Sequence, residues 1–325
     1  MRFGVLLPHY GEHCTPQRLV EGSKLIEELG FDSVWVRDHL LWKPHGMEGT
    51  NRTFVEAFVT LAAVAGATTR IGLGTAVLIP IRWPLKVAQN FASLSYISSG
   101  RQVDAGFGMG SNHAELGAAG FSADNRAEIF AETVQICERV WKEDGVTWQG
   151  EQFQFEDVTL EPKPTGPVVT WYGGTTRGSV RRAAAYCDGW LPGRLPMATL
   201  DDRLALLRKL GDERGRPIRI GVIPLISIDE DRDRARAGID VHALAHSSEG
   251  SKNWIKPPSG EFETVDDLEG LVVAGSPEDC VAELKKFEER GVADYIFDLR
   301  LQFTDYEEKL ELIAREVLPH IRRDD

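Results

Sequence analysis

The sequence predicts an α/β protein, a (β/α)8 TIM barrel with insertions, and three observations carry this prediction. Short apolar segments alternate with patterns of helical spacing along the whole chain, which favours a parallel sheet covered by helices. The alternation repeats eight times, as a closed barrel requires. The 325 residues exceed the roughly 250 of a bare barrel, and no break in composition marks a second domain. An open doubly wound sheet is the main alternative, and we expect one domain over 1–325.

Eight short apolar segments rich in β-branched residues and bounded by turn residues are the predicted strands. They cover residues 3–7, 33–36, 71–78, 102–107, 168–172, 188–191, 218–228 and 294–299. Helices are expected between them. Thr15 before Pro16 is typical of a helix start, because a threonine side chain caps free amides and proline suits the first helical position.

Two stretches interrupt this rhythm and are predicted insertions. Residues 146–160 alternate polar and apolar side chains around a central glycine, which indicates a β-hairpin. Residues 229–271 are polar and contain the sequence Pro257-Pro258-Ser259-Gly260. We expect this second insertion to cover the mouth of the barrel as a lid.

The charge balance excludes several partners. Lys and Arg number 37 against 50 Asp and Glu, which gives a net charge of −13. Nucleic acids and anionic membranes reward basic surfaces, so neither is expected as a partner. No apolar run approaches the roughly 18 residues that span a bilayer. The four cysteines are far apart, which favours reduced thiols and a cytoplasmic location.

Common catalytic motifs are missing from the sequence. His113-Ala114-Glu115 resembles the H-x-E of zinc deaminases, but no P-C-x-x-C follows it, and we expect no metal site. The glycines of 106–110 lack the G-x-G-x-x-G spacing of dinucleotide-binding folds.

The ends of four predicted strands carry the residues that point to a site, since active sites of barrels lie at the carboxyl ends of the strands. Pro8-His9-Tyr10 ends the first strand, Asp38 and His39 follow the second, and small residues end the third and fourth. These small residues are Gly74, Thr75, Ala76, Val77, Gly106, Gly108 and Gly110, with Ser111 next. They leave room for a flat ligand close to the backbone, although tight turns alone would also explain them.

The turn after the fifth strand is a predicted phosphate site. Gly173 and Gly174 let backbone amides approach an anion, Thr175 adds a hydroxyl donor, and the next helix presents its positive end. Positive charge is expected nearby from Arg177, Arg181, Arg182 and Arg194. Such turns also occur without ligands.

His39 is the candidate catalytic residue, because a histidine can transfer protons near neutral pH or donate to a ring carbonyl. A structural histidine bonded to Asp38 or to backbone is the alternative. His9 and His113 are weaker candidates.

Taken together, these segments resemble the bacterial luciferase-like monooxygenase family, which includes flavin-dependent monooxygenases and enzymes that use the deazaflavin coenzyme F420. The resemblance is carried by 28–35, by Asp38-His39 and by 71–77, 106–110 and 173–190. It implies a barrel with insertions, often a homodimer.

The resemblance also implies residue roles. The cofactor ring would lie over the third strand, where a non-proline cis peptide is expected at Ala76-Val77, and Thr75 would contact the cofactor there. The cofactor phosphate would bind at Gly173, Gly174 and Thr175. Further cofactor contacts would come from Asp38, Gly108, Gly110 and Ser111, and His39 would lie near the reactive face. Ser111 departs from the family, since many relatives have an aromatic or acidic residue there.

The cofactor decides the chemistry, and the resemblance implies either F420 or FMN. F420 supports hydride transfer, whereas reduced FMN with oxygen supports oxygenation. Asp38-His39 and Gly74 to Val77 look more like the F420 members, so hydride transfer to or from a small organic substrate is favoured. A reduced-FMN monooxygenase is the alternative, and a non-catalytic ligand-binding barrel is the second.

Overall fold

The computed structural model describes residues 1–44, 48–246 and 249–322. Eight parallel strands form a closed barrel in the order β1-β12-β9-β8-β7-β4-β3-β2. The strands are β1 (Arg2–Leu6), β2 (Ser33–Val36), β3 (Gly72–Thr75), β4 (Val103–Phe107), β5 (Val146–Gln149), β6 (Gln154–Val158), β7 (Val168–Gly173), β8 (Gly189–Leu191), β9 (Arg219–Val222), β10 (Leu225–Ile228), β11 (Val272–Gly275) and β12 (Asp294–Phe297). The predicted barrel is confirmed, and the open doubly wound sheet is excluded because β1 pairs with both β2 and β12.

Helices cover the outside of the barrel. They are α1 (Pro16–Glu28), α2 (Ala57–Ala67), α3 (Pro84–Ile97), α4 (His113–Ala118), α5 (Arg126–Val140), α6 (Arg177–Tyr186), α7 (Met197–Arg214), α8 (Arg232–Ala237), α9 (Val241–Ala245), α10 (Pro277–Glu289), α11 (Tyr306–Glu316) and α12 (Leu318–Ile321), with 3-10 turns at Glu249–Asn253, Asp266–Leu268 and Arg300–Asp305. The predicted start of α1 is confirmed, since the Thr15 side chain accepts a hydrogen bond from the Arg18 amide. No helix in the described part of the chain is both long and apolar enough to cross a membrane.

One predicted strand is wrong. Residues 218–228 form two strands instead of one, because only β9 belongs to the barrel and β10 pairs with β11 outside it. Pro224 lies between them and has no amide hydrogen to donate to a ladder, which explains the break. The sequence interpretation also missed β11, a short apolar segment that directly follows the polar stretch 229–271.

Large side chains fill the inside of the barrel. A separate buried cluster contains Leu6, Trp35, Trp171, Leu191, Ile223 and Ile296. A Cβ added to Gly74 would lie 2.5 Å from the Trp35 ring, and one added to Gly189 would lie 2.3 Å from Trp171. Gly74 was predicted to make room for a ligand, and this is wrong because the space beside it holds Trp35.

The amino end of the barrel is closed by ion pairs, here named the base cluster: Arg2, Asp104, Arg219 and Asp294. Asp294 binds Arg2 at 2.9 Å and Arg219 at 2.6 Å, and Asp104 lies 3.4 Å from Arg2. The Trp171 indole donates to Asp104 at 3.0 Å. Both carboxylates are buried, so the cluster joins four strands with matched charges.

The two insertions lie outside the barrel. β5 and β6 pair in antiparallel fashion within 146–160. Segment 229–271 is anchored on α7, where the Arg203 guanidinium donates to the Asn253 carbonyl and Thr199 Oγ1 accepts from the Ile255 amide. None of its described residues lines the cleft at the carboxyl end of the barrel strands, so the lid role stays a prediction.

Candidate active site

A cleft of about 410 Å³ lies at the carboxyl end of the barrel strands. It contains every predicted site residue except Thr75. These are Asp38, His39, Ala76, Val77, Gly108, Gly110, Ser111, Gly173, Gly174 and Thr175. Strands β2, β3, β4 and β7 supply these residues, and they are consecutive in the barrel, so residues distant in sequence meet at one rim.

The floor of the cleft is built around Val77. The Ala76-Val77 peptide bond is cis, as the resemblance implied. A Cβ added to Gly108 would lie 2.6 Å from Val77 Cγ2, and one added to Gly173 would lie 2.8 Å from the same atom. These glycines are therefore needed to admit Val77, and the result is a smooth apolar surface.

Thr75 supports this floor from below. It is fully buried, its hydroxyl donates to the Gly106 carbonyl at 3.0 Å, and the hydroxyl accepts from the Gly106 amide at 2.9 Å. The side chain fixes β3 to β4 and does not line the cleft. The predicted cofactor contact of Thr75 therefore does not fit its position.

Asp38 is held by the protein itself. Its carboxylate accepts two hydrogen bonds from Arg82, at 2.7 and 2.8 Å, and one from the Ile79 amide at 3.1 Å. Its side chain is buried. Asp38 thus positions the segment that follows Val77, which is the far side of the cleft floor.

His39 has a partner that sequence reasoning missed. Its Nδ1 lies 3.2 Å from Glu115 Oε2, and Glu115 Oε1 accepts from the amides of Leu40 at 2.5 Å and Leu41 at 2.9 Å. A carboxylate only accepts, so Nδ1 carries the hydrogen and Nε2 is left for a ligand. The partner of Nδ1 is therefore Glu115, in place of the Asp38 or backbone partner considered in the alternative interpretation.

The Glu115 carboxylate is charged at neutral pH. Burial alone would raise the pKa of this group, but the hydrogen bonds from His39 and from the Leu41 and Leu40 amides hold its pKa below the usual value. Glu115 lies in the short helix α4. One local signal for Glu115 is the H-x-E pattern of 113–115, which without a following P-C-x-x-C does not indicate a zinc site.

The two weaker histidine candidates do not line the cleft. His9 Nδ1 lies 3.0 Å from the Val55 carbonyl, and His9 Nε2 accepts from the Arg37 amide at 2.8 Å. Burial lowers the pKa of His9 to about 3, so its ring stays neutral. His113 is exposed and lies 2.7 Å from Arg126.

The turn after β7 forms the other end of the cleft. Gly174 has a φ of +124°, which favours glycine, and the Trp190 indole donates to its carbonyl at 2.9 Å. Thr176 caps α6, where its hydroxyl accepts from the Ser179 amide. Thr175, Thr176 and Ser179 line the cleft with hydroxyl groups at the positive end of α6.

Of the arginines predicted near this turn, Arg182 interacts with the side chain of Tyr172, which lines the cleft. Arg181 is exposed, and Arg177 pairs with Asp202 at 2.6 Å. Arg194 lies elsewhere, in the electrostatic range of Arg37 and Arg300. Arg203, which was not predicted, supports the turn from α7 by donating to the Thr175 carbonyl at 3.3 Å.

Comparison with known proteins gives one family and a consistent group of relatives. A family model described as luciferase-like monooxygenase matches residues 1–294. An F420-dependent glucose-6-phosphate dehydrogenase of Beutenbergia cavernae is 30% identical over 328 residues, covering 96% of this chain and 95% of that protein. An enzyme of the same name from Nakamurella multipartita is 28% identical over 327 residues, covering 96% and 94%.

Solved structures share the fold at lower identity. An F420-dependent secondary alcohol dehydrogenase in complex with an F420-acetone adduct has a TM-score of 0.81 at 22% identity, covering 99% of both chains. A monooxygenase from Streptomyces bottropensis has a TM-score of 0.77 at 24% identity, covering 99% of this chain and 100% of that one. A dehydrogenase and a monooxygenase therefore both have this fold.

Proposed function

The chain belongs to the family of luciferase-like monooxygenases, and from this premise we propose that it is an oxidoreductase that transfers hydride between coenzyme F420 and a small organic substrate. The observation that carries the proposal is the His39–Glu115 pair at the edge of an apolar floor. Relatives of nearly equal length are named as F420-dependent dehydrogenases, which supports this cofactor over FMN.

The cleft fits a flat ring joined to an anionic tail. Gly108 and Gly173 leave only Val77 on the floor, which suits the face of a ring. The hydroxyls of Thr175, Thr176 and Ser179 and the amino end of α6 suit a phosphate. Ala76, Gly110 and Ser111 would border the ring between these two ends.

The residues of the chain perform the proton chemistry. When bound, the deazaflavin supplies a carbon centre that accepts or donates hydride. His39 Nε2 takes the proton of a substrate hydroxyl as hydride leaves the adjacent carbon, and it returns the proton in the reverse direction. Glu115 holds Nδ1 and stabilises the imidazolium that forms.

Position 111 does not supply a second proton donor besides His39, because it holds a serine. Ser111 stands where many relatives have an acidic or aromatic residue, and both nearby carboxylates are occupied, Asp38 by Arg82 and Glu115 by His39. His39 therefore handles the proton alone among the described residues of the cleft. This arrangement suits an alcohol and its carbonyl product, which exchange one proton and one hydride.

Cofactor binding and a variant test the proposal together. F420 should raise the melting temperature of the purified protein more than FMN does, because a ligand stabilises the state that binds it. His39→Asn should keep F420 affinity and lose turnover. Stabilisation by FMN alone would favour the monooxygenase, and ligand binding without turnover of any alcohol or carbonyl would favour a binding protein.

We also infer that the protein forms a homodimer through α2. This helix exposes Val59, Ala62, Ala63 and Gly66 at helical spacing, and Val59 is 63% exposed. Such an apolar stripe on a water-facing helix is typical of an interface. Light scattering should give twice the chain mass for the wild type and the chain mass for Val59→Glu. A monomeric wild type would contradict the inference.

The cytoplasmic location remains a proposal as well. It is supported by four cysteines that form no disulfide, three of which are buried. Free thiols are typical of reducing compartments. Fractionation of the native cells, with the protein recovered outside the cytoplasmic fraction, would contradict it.

A further inference from the structure

A second group of charged residues lies at the carboxyl end of the barrel, beside the cleft. We name it the mouth cluster: Arg37, Glu48, Arg194, Asp298 and Arg300. Arg37 follows β2, Arg194 follows β8, and Asp298 and Arg300 follow β12, so all four lie at the rim that holds the cleft. Arg37 itself lines the cleft.

The two carboxylates of this cluster are already paired. Glu48 accepts from Arg37 at 2.7 Å and from Arg300 at 2.6 Å. Asp298 binds the same Arg300 at 2.6 Å. The side chains of Glu48 and Asp298 are only 3% and 2% exposed, so both are committed to arginines inside the protein.

Arg194 is the cation left over. Within residues 1–44, 48–246 and 249–322 it forms no hydrogen bond or ion pair, although it interacts electrostatically with Arg300, Asp298, Arg37 and Glu48. Burial and the neighbouring Arg300 and Arg37 lower the pKa of Arg194 to about 10, so it stays charged at neutral pH. The Arg194 side chain is half-buried. A guanidinium that makes no hydrogen bond within the protein keeps its donors for an anion, which indicates that an anion completes the cluster.

Tyr10 points independently to the same ligand. Its side chain is buried and its hydroxyl has no hydrogen-bond partner in the described part of the chain. The Arg37 and Arg300 guanidinium groups lie 4.8 Å and 5.9 Å from its ring. The Tyr10 hydroxyl and the Arg194 guanidinium interact electrostatically with the same four charged groups of the mouth cluster. An unpaired hydroxyl and an unpaired guanidinium that share these neighbours are complementary to an oxyanion, which accepts from both.

The position of Arg194 is fixed by its loop. It lies between Pro192 and Pro196, and the adjacent Leu195 is buried. The two prolines restrict the backbone of the loop, so the segment that carries Arg194 has less backbone freedom to lose on binding. The loop begins at the end of β8, whereas the hydroxyl-rich turn follows β7, so the two anion sites are separate features of the rim.

We propose that the mouth cluster binds the anionic group of the substrate, a carboxylate or a phosphate, and that Arg194 determines this specificity. This rests on the proposed function, since it assigns the cluster to the substrate of that site. A guanidinium with free donors binds either oxyanion through two parallel hydrogen bonds. The substrate is therefore an anionic alcohol or carbonyl compound, held with its reacting carbon toward His39.

The first test measures anion binding without turnover. Calorimetric titration of the F420-loaded protein with inorganic phosphate and with acetate, at constant ionic strength in chloride, should give binding of at least one oxyanion to the wild type. Arg194→Gln should weaken it by about tenfold or more, because a charged hydrogen-bonding partner is lost. Arg232→Gln, the same change at an exposed position on α8, should bind as the wild type does.

Arg194→Lys guards against misfolding, since it keeps the charge and loses the planar fork. It should bind the oxyanion with intermediate affinity. Which oxyanion binds assigns the substrate class. Failure of both oxyanions to bind the wild type, or undiminished binding to Arg194→Gln, would overturn the proposal.

The second test separates substrate from cofactor. F420 affinity, measured by fluorescence titration, should be equal in the wild type and Arg194→Gln. In F420 reduction, kcat/KM for glucose 6-phosphate relative to glucose, or for lactate relative to 2-propanol, should fall by about tenfold or more in Arg194→Gln. A loss of F420 affinity in this variant would assign the cluster to the cofactor and overturn the proposal. If F420 does not bind the wild type, the proposed function fails, and oxyanion titration of the unloaded protein still decides whether the cluster is an anion site.

Discussion

The two ends of this barrel carry clusters of arginines and carboxylates that differ in how completely their charges are paired. The base cluster pairs two arginines with two buried aspartates, and the Trp171 indole adds a further hydrogen bond to Asp104. The mouth cluster has three arginines for two carboxylates, which leaves Arg194 without a partner in the described residues. The charges of the base cluster are paired within the protein and stabilise the fold. The mouth cluster has one more positive than negative charge, and this excess can bind an anionic ligand at the rim.

The comparison is tested first at the base, where the largest effect on stability is expected. Asp294→Ala removes the carboxylate that binds both Arg2 and Arg219, and the free energy of unfolding should fall by about 3 kcal/mol. Urea denaturation followed by circular dichroism measures this loss. Turnover per folded molecule should not change, and a selective loss of turnover would show that the base has a catalytic role.

A substitution in the cleft, at the opposite end of the barrel, should instead lower activity and leave stability almost unchanged. His39→Asn removes the group that exchanges the substrate proton, so kcat should fall by about a hundredfold. The half-buried side chain costs little when replaced, and the free energy of unfolding should change by less than about 1 kcal/mol. Steady-state F420 reduction gives the rate, and undiminished kcat would remove His39 from the mechanism.

Glu115→Gln tests whether the Glu115 carboxylate orients the His39 ring. A carboxamide presents a donor toward Nδ1, which favours the tautomer with hydrogen on Nε2, and kcat should fall by about tenfold. His39→Asn combined with Glu115→Gln should be no slower than His39→Asn alone, because Glu115 acts through His39. Additive losses would give Glu115 a separate role.

The same variant predicts a pH dependence of stability. The pKa of Glu115 is lowered in the folded protein, so its contribution is complete above the usual value of 4.5 and is lost as the pH falls through the lower folded value. The difference in free energy of unfolding between the wild type and Glu115→Gln should therefore shrink below pH 4.5. A difference that stays constant down to the acid limit would contradict the assignment.

The smallest change in stability is expected at Arg194, and its sign should be opposite to that of a substitution in the base cluster. Arg194→Met replaces an unpaired, half-buried charge by an apolar side chain, and the free energy of unfolding should rise by about 1 kcal/mol. Thermal unfolding without oxyanions, compared with Arg219→Met at the base, measures the contrast. Destabilisation of both variants by the same amount would show that Arg194 is a structural cation.

Several features could be predicted from sequence because local patterns encode them. Alternating apolar segments predict strands and helices, and the order of those elements restricts a parallel sheet to few topologies. The rim residues after β2, β3, β4 and β7 followed from the rule that barrel sites lie at the carboxyl ends of strands. The cis bond at Ala76-Val77 came from family resemblance, not from the residues themselves.

Other features depended on distant contacts. Nothing local distinguishes Gly74, which packs on Trp35, from Gly108, which admits Val77 to the cleft floor. Thr75 was assigned to the cofactor, although its hydroxyl binds Gly106 of the next strand. Pro224 is a local signal for the break after β9, but the apolar residues on both sides of it favour one continuous strand.

The class of fold, the rim that carries the predicted site and the family can all be inferred from the amino-acid sequence, since periodicity and short motifs are local properties of the chain. The pairing of the charges, in contrast, depends on how the chain folds in three dimensions. Glu115 meets His39 across 76 positions, and Glu48 meets Arg300 across 252. Coulomb energies and hydrogen bonds depend on distance and burial in space, and barrel closure brings these groups together.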